Sequence, residues 1–594
     1  MKLVQLGRSL IASLLISALL CVSACVTSPP ATNNANVNQR QALTEKVVGT
    51  RGGSLTYRIT SPPKTFNYIL AADEPSNFVA FFLTGSRLVE LDHDTQNYVP
   101  ALAESWKLSD DELSVEVVLR DGLKFSDGHA LTSEDVAFTL RALYDERVLS
   151  PIYSDAMHVG GKPITITVAD PRRFRLGFAE AIAVPENYMS NLNVLPRHVL
   201  EPVLEKNGFN QAYSVTSDVA GVVTAGAFAV ESSTPGERVA LKRNPHYWKR
   251  DAQGNPLPYL DRLVLEVVTD ENNAVARLGQ GTLDILDRVR PTDHATLRSG
   301  QGAAARSFDL GPGLYADNFW FNQNPGQRED GKPIVDPAKL AWFTDVRFRR
   351  AVSHAIDRDS IATNTWQGLA TPLYNFVSSG NRAWVAADVP RTEYDLEKAR
   401  TLLREAGFSF RGTESAPELF DAKGKRVEFT IIAPAGNEVR VKSAIVIQED
   451  LKKLGMNVQV APIDNARLSA LIGTSYDYEA VLFGTSATEP DPSSYTDMLH
   501  SGSVQHLWHP KQPKPATEWE ARLDELNTRQ AHEVDRERRR AIFRDIQLLM
   551  AEQMPLIPIV TRHIAVAANP RIRNYRPSTL PPFSLWNAEE LFVR

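Results

Sequence analysis

Val427-Glu-Phe-Thr-Ile-Ile-Ala433, a stretch from Glu438 to Leu454 closed by Gly455, and Met456-Asn-Val-Gln-Val-Ala461 follow one another along the chain. The outer two segments are short, apolar and rich in β-branched residues, and the middle one carries apolar residues at helical spacing, so together they read as a βαβ unit. A shorter helix around Leu468 to Ile472 leads into Tyr478-Glu-Ala-Val-Leu-Phe483 and extends the unit to β-α-β-α-β. Strands joined through helices lie parallel, which predicts a mainly parallel sheet with helices on its faces, an α/β architecture. Ligands of such sheets sit beyond the carboxyl ends of the strands. That rule picks out two loops, Pro434-Ala-Gly-Asn437 and Gly484-Thr-Ser-Ala-Thr488. Asn437 also opens the helix, where free amide N–H groups favour a carboxylate or another anion.

Upstream of this unit the rhythm differs. Ser54-Leu-Thr-Tyr-Arg-Ile59, Ser114-Val-Glu-Val-Val-Leu119, Arg238-Val-Ala-Leu-Lys242 and Leu263-Val-Leu-Glu-Val-Val268 read as strands. Thr132 with Asp135 three residues on makes a helix start resembling a capping box, and Val136, Leu140 and Leu143 continue the apolar stripe. The chain has 594 residues, 43% of them hydrophobic and 23% charged, which excludes a disordered chain and a small disulfide scaffold. Its formal charge of -6 argues against a nucleic-acid partner. The two cysteines, Cys21 and Cys25, both precede the body, so no cysteine-based metal site or disulfide is expected there.

Lys2 and Arg8 stand before an apolar run from Leu10 to Leu20, too short to span a bilayer and built like a signal peptide. Val22-Ser23-Ala24-Cys25 follows and resembles the bacterial lipobox, in which cleavage before the cysteine frees it to carry lipid. The expectation is a signal peptide over 1–24, lipidation of Cys25 and a flexible tether over 25–47 rich in Pro, Asn, Thr and Gln. Cleavage there removes two cations and no acids, taking the formal charge from -6 to -8. The protein is thus expected to be exported and held at a membrane of the cell envelope by its acyl chains.

Pro100-Ala-Leu-Ala-Glu-Ser-Trp106, Leu119-Arg-Asp-Gly-Leu-Lys-Phe-Ser-Asp-Gly128 and Leu131-Thr-Ser-Glu-Asp-Val-Ala-Phe138 resemble the signature of the family 5 extracellular solute-binding proteins, receptors of peptide and nickel ABC importers. Arg243-Asn-Pro-His-Tyr-Trp248, Val346-Arg-Phe-Arg-Arg-Ala-Val-Ser-His-Ala-Ile-Asp357 and Tyr394-Asp-Leu-Glu-Lys-Ala-Arg400 continue the likeness in order, so that it covers the chain from about Gly52 onward. The resemblance implies an α/β bilobal clamp of the type II periplasmic-binding-protein class, cluster C, with an extra inserted subdomain. Lobe I is expected in 48–95, 205–320 and 560–594, the inserted subdomain in 96–204, and lobe II in 321–559. It also implies a monomeric receptor without a cofactor. That receptor takes an oligopeptide or another small solute between its lobes and delivers it to ABC permease and ATPase subunits. Hinged closure would enclose the ligand.

In peptide-binding relatives, the segment equivalent to Phe483-Gly484-Thr485-Ser486 pairs with the peptide backbone as an added strand. The opposing segment falls near Ala72 and Asp73. Relatives that hold a peptide's amino group use an aspartate in a Trp-x-x-Asp arrangement just after this strand. Here Phe483 stands at the tryptophan position, and Ser486 to Thr488 where the aspartate would fall. A hydroxyl does not neutralise an ammonium as a carboxylate does, so amine capture falls to Glu489 or Asp491, or does not occur. The ligand set implied is therefore Ala72, Asp73, Asn437, Phe483, Gly484, Thr485, Ser486, Thr488 and Asp491. The alternative is a nickel or other metal chelate, a sugar or a tetrapyrrole held by the same clamp.

Other motifs read as structure. Two prolines inside Ser61-Pro-Pro-Lys64 disfavour the helix that an S-x-x-K nucleophile needs, and no catalytic triad or zinc motif appears, so no enzymatic activity is expected. His500, His506 and His509 are too loosely spaced for a metal centre. Asp535-Arg-Glu-Arg-Arg-Arg540 reads as a solvated helix face, and Arg347, Arg349 and Arg350 as salt-bridging residues at the base of lobe II. Phe483 fits either a core position or a cleft wall.

Overall fold

The βαβ segment forms one end of a sheet of eleven strands. In the computed structural model, which describes residues 46–150, 152–216, 218–298, 305–487 and 489–594, these strands are β1 (Ser54–Ile59), β2 (Phe228–Thr234), β3 (Arg238–Arg243), β4 (Arg262–Val267), β5 (Ile285–Leu286), β6 (Arg306–Phe321), β7 (Ala370–Pro372), β8 (Glu428–Pro434), β9 (Asn457–Ile463), β10 (Ala480–Ser486) and β11 (Ile557–Ala568). Side by side they run β2-β3-β4-β1-β5-β11-β6-β10-β8-β9, with β7 added to β11. β8 lies parallel to β9 and β10, as helical crossovers require. At the other end β1 is parallel to β4 and β5, and β2-β3-β4 is an antiparallel meander.

Within the sheet, β6 and β11 join the two ends. β6 serves both: Arg306 to Asp309 face Ala568 to Ala565 beside β5, whereas Tyr315 to Phe321 pair with Ser486 to Ala480 of β10. The register between β6 and β11 shifts at Asp309/Pro312, Pro312/Ala316 and Asp317/Asn318. Bulges bend the strands that carry them and break the ladder locally, so the passage between the two ends is its least regular part. The joins expected at 320/321 and 559/560 fall inside these two shared strands.

Alternation along β6 sends Phe319 and Phe321 to one face and Trp320 to the other, all three fully buried. The first face packs on helix α1 (Glu438–Lys452) through Ala444, Ile447 and Leu451. The second packs on α2 (Arg536–Gln553) through Phe543, Ile546 and Met550. Asn437 caps α1 by accepting the Arg440 amide at 3.0 Å. Gly455, at φ +77°, follows its end, and a Cβ there would lie 2.8 Å from the Glu418 backbone. Burying Ile447 and Leu451 contributes about 1.5–3 kcal/mol each and holds the helix over the strand ends.

A separate antiparallel sheet lies in 96–204, its strands ordered Ala103–Leu108, Ser114–Leu119, Arg173–Gly177 and Thr165–Asp170. Its helix Ser133–Leu143 begins with Asp135 accepting the Thr132 amide at 2.8 Å, and Val136, Leu140 and Leu143 are buried as their spacing predicts. Residues 48–594 form one compact unit. Among the described residues no helix is long and apolar enough to cross a membrane. The expected signal peptide, Cys25 and most of the expected tether lie outside the described residues.

One local expectation is corrected. Gly484, Thr485 and Ser486 belong to β10 rather than to a loop, because β6 supplies pairing partners as far back as Tyr315.

Candidate functional site

β10 has two neighbours of unequal length. On one side β6 pairs with it from Ala480 to Ser486. On the other, β8 pairs only at Ala480 and Val481, opposite Ile431 and Ile432, and then continues to Pro434 beside β9. From Leu482 to Ser486, β10 therefore has a strand partner on one side only. Phe483, Gly484 and Thr485 are part-exposed and Ser486 is exposed, so this is an accessible edge where two parallel strands part at their carboxyl ends.

The first turn of α1 fills the angle between them. Arg440 is 7% exposed and pairs at 2.6 Å with Asp317 of β6, itself 2% exposed. The guanidinium lies 5.2 Å from the centre of the Phe483 ring, and that ring also packs on the Trp320 face of the core. Phe483 thus packs against the core while its ring remains part-exposed beside Arg440. Gly484 sits opposite Asp317 in register, and a Cβ there would fall 2.2 Å from Arg440 Nη2. Glycine is needed at this position for the room it leaves to the guanidinium. Thr485 Oγ1 accepts a hydrogen bond from Asn318 Nδ2 at 2.8 Å. Arg440 Nε, Asp317 Oδ2 and Asn318 Oδ1 are buried without partners, an unusual concentration of unmet polar atoms at one strand junction.

Arg562 of β11 lies nearby, with its guanidinium 4.7 Å from the Tyr315 ring and 5.9 Å from the Trp366 ring. Tyr315 is the register partner of Ser486. Burial pushes the Arg562 guanidinium below its ordinary range; Asp317 opposes this, and the like charges of Arg440 and Arg288 add to it. Arg288 pairs with Glu74 at 2.5 Å. Just before Glu74, Asp73 caps the short helix Glu74–Asn77, accepting from the Ser76 amide at 3.0 Å and its hydroxyl at 2.7 Å, and Ala72 is exposed.

Beyond the edge, Thr488 lies outside the described residues. Asp491 is buried and bound by Arg539 in a two-point ion pair at 2.7 and 2.8 Å. Burial would raise its pKa, but Arg539 and the Ser493 donors outweigh this and lower it. Asn187 also donates to Asp491, at 3.2 Å. Glu489 accepts from the hydroxyls of Tyr98 and, at 3.4 Å, Ser190. Burial holds its carboxyl above the usual range against the pull of the Tyr98 hydroxyl. A cavity of about 300 Å³ lies beside these groups, lined by Tyr98, Glu186, Trp384, Asp491 and Arg539 among others.

The structure thus brings Phe483, Gly484, Thr485 and Ser486 together at one edge and places Asn437 at the cap of the helix beside it. Asn437 satisfies the Arg440 amide with its own side chain, so its α1 position does not leave that N–H free. The sequence reading missed Asp317, Arg440, Arg562 and Arg539. Arg539 could have been found, because it falls on the helical stripe of Ile542, Phe543, Ile546 and Met550 that packs inward. It is 3% exposed rather than solvated.

The reading of Arg347, Arg349 and Arg350 as salt-bridging residues also needs correction. Arg347 does pair with Asp345 at 2.7 Å, but Arg349 is buried and donates to the carbonyls of Phe343, Gln553 and Met554 at 2.8, 2.7 and 3.1 Å. Arg350 reaches the Glu552 carbonyl at 2.6 Å. Both cap the carboxyl end of α2, where carbonyls lack helical partners. His506 is buried against the Met498 carbonyl and Glu520. Burial would raise the Glu520 pKa, but hydrogen bonds from His506, Gln512, Thr517 and Trp508 bring it down to about 2, so the histidine loop is held by a structural carboxylate.

The family model described as bacterial extracellular solute-binding proteins, family 5 middle, matches residues 97–506. A probable ABC transporter-binding protein of Deinococcus radiodurans is 27% identical over 552 residues, which cover 89% of this chain and 90% of that protein. The oligopeptide-binding protein AppA of Bacillus subtilis is 26% identical over 564 residues, 91% of this chain and 92% of its own. Its crystal structure in complex with a nonapeptide superposes with a TM-score of 0.66 at 24% identity, over 92% of this chain and 99% of that one. The ABC transporter substrate-binding protein CtaP of Listeria monocytogenes gives a TM-score of 0.73 at 22% identity, over 92% of this chain and all of that one. These likenesses show a bilobal α/β fold.

Proposed function

The chain belongs to the family 5 bacterial extracellular solute-binding proteins, and from that premise we propose that it is an oligopeptide receptor of an ABC importer. It binds its ligand between the two ends of the main sheet and hands it to a membrane permease. A relative whose name records oligopeptide binding, matched over nine-tenths of the chain, supports the substrate class. The observation that carries the reading is the one-sided stretch of β10 from Leu482 to Ser486. An extended peptide adds to such an edge by main-chain hydrogen bonds, which fix its course and leave its side chains little constrained. The inserted subdomain and segment 489–493 touch through Tyr98, Asn187 and Ser190, contacts that would make and break as the clamp closes.

The remaining features fit an exported receptor. Residues 1–24 act as a signal peptide, Cys25 carries lipid, and 25–47 tether a monomeric clamp to the envelope. Lobe I takes 48–95, 205–320 and 560–594, the inserted subdomain 96–204, and lobe II 321–559. Ala72 and Asp73 face the ligand from lobe I, with Asn437, Thr488 and Asp491 bordering the edge opposite. The protein performs no chemistry on its ligand, and ATP hydrolysis by separate subunits drives transport.

N-methylation of a bound peptide, one residue at a time, tests the added-strand mode. Methylation at alternate residues should weaken binding about tenfold or more, since each removes a main-chain donor, while exchange of single side chains should change affinity by less. Affinity that follows side chains and ignores backbone methylation would contradict the proposal.

A further inference from the structure

The charges around the open edge are not symmetric. Three carboxylates stand beside or just beyond it, and each is already engaged. Asp317 is paired with Arg440, Asp491 is paired with Arg539, and Glu489 accepts from the hydroxyls of Tyr98 and Ser190. Asp73, on the segment expected to face the edge, is taken by Ser76. Two of the cations are engaged too, Arg440 by Asp317 and Arg288 by Glu74.

Arg562 differs. Its Nε is buried without a hydrogen-bond partner, and among the described residues no carboxylate stands within ion-pairing distance of it. Its guanidinium carbon lies 4.7 Å from the centre of the Tyr315 ring and 5.9 Å from that of Trp366. Arg440 and Arg288 have carboxylate partners in Asp317 and Glu74, and Arg562 has none among the described residues. A guanidinium stacked near two rings, part-exposed and without an ion-pair partner, presents a planar fork that suits a carboxylate.

We propose that Arg562 anchors a carboxylate of the ligand and that the site makes no ion pair with a free amino group. This rests on the peptide reading above and refines it: the ligands selected are peptides with a free carboxylate within reach of Arg562, and blocking the amino terminus does not exclude them. The missing aspartate of the Trp-x-x-Asp arrangement and the unpaired cation are then two aspects of one specificity, with the anchoring charge moved to the other end of the ligand.

The test uses the full chain in mild detergent with a randomised pentapeptide pool in four forms: free at both ends, N-acetylated, C-amidated, and blocked at both ends. Competition read by native mass spectrometry gives the affinity ratios directly. Acetylation should change binding less than threefold and amidation should weaken it about ten- to a hundredfold, the range for a hydrogen-bonded charge. In Arg562→Gln the acid and amide forms should bind equally, and in Arg562→Lys part of the preference should remain. These are ratios within one sample, so a partly unfolded variant still reports them. A tenfold loss on acetylation, or an Arg562→Gln variant that keeps the acid preference, overturns the proposal and leaves the peptide reading standing. Failure of all four forms to bind overturns both.

Discussion

Gly484→Ala is the smallest change that reaches the centre of the site. Its new methyl would lie 2.2 Å from Arg440 Nη2 and 3.1 Å from both Arg440 Cζ and Asp317 Oδ1. The guanidinium nitrogen at 2.2 Å has to move, and the two atoms at 3.1 Å must give by a few tenths of an ångström. The glycine has no positive φ, so the backbone tolerates alanine and the whole effect comes from the displaced guanidinium. Moving it breaks the 2.6 Å pair with Asp317 and leaves a carboxylate that is 2% exposed without its cation. Breaking a buried pair by displacing one partner costs about 3–5 kcal/mol. In an Arg440→Ala background the space is already vacant, and Gly484→Ala should cost less than about 1 kcal/mol. Urea denaturation of the four proteins of this cycle gives the coupling. Equal costs for Gly484→Ala in both backgrounds would refute the claim that the glycine exists to seat Arg440.

Four further substitutions separate burial from charge. Arg539→Met strands Asp491 without its cation and should destabilise by about 3–5 kcal/mol, whereas Arg540→Ala, at an exposed neighbour, should stay within about 0.5 kcal/mol, both read by denaturant midpoint. Ile447→Ala empties a fully buried position between α1 and the sheet and should cost about 2–5 kcal/mol in the same assay. For Glu489 the folded pKa lies above the ordinary 4.5 because of burial, so its contribution is fully present below about pH 4.5 and is lost as pH rises through the raised value. Glu489→Gln should therefore flatten that fall. Thermal melting from pH 4 to 8 should show wild type losing ground to the variant as pH rises, and parallel curves would count against the burial of an ionising group there.

The strands and helices of 427–483 were legible because β-branched runs and a helical apolar stripe, bounded by Asn437 and Gly455, allow one arrangement of parallel strands. The capping of Ser133–Leu143 was legible for the same reason, since its signal is local. The extension of β10 through Ser486 was not, because its cause is β6, more than 150 residues earlier in the chain. The ionic partners Asp317–Arg440 and Asp491–Arg539 are likewise separated by 123 and 48 residues, and spacing carries no trace of such pairs. Arg539 is the instructive miss. Its charge suggested solvent and its helical phase pointed inward, and the buried carboxylate across from it decided in favour of phase.

The central claim is that this chain holds peptides along the open edge of β10. Native mass spectrometry of residues 27–594, purified without refolding, addresses it most directly, because a closed clamp retains ligand through purification. The account predicts a ladder of adducts at peptide masses, lost on mild activation. A single adduct at the mass of a metal chelate, sugar or tetrapyrrole would contradict it.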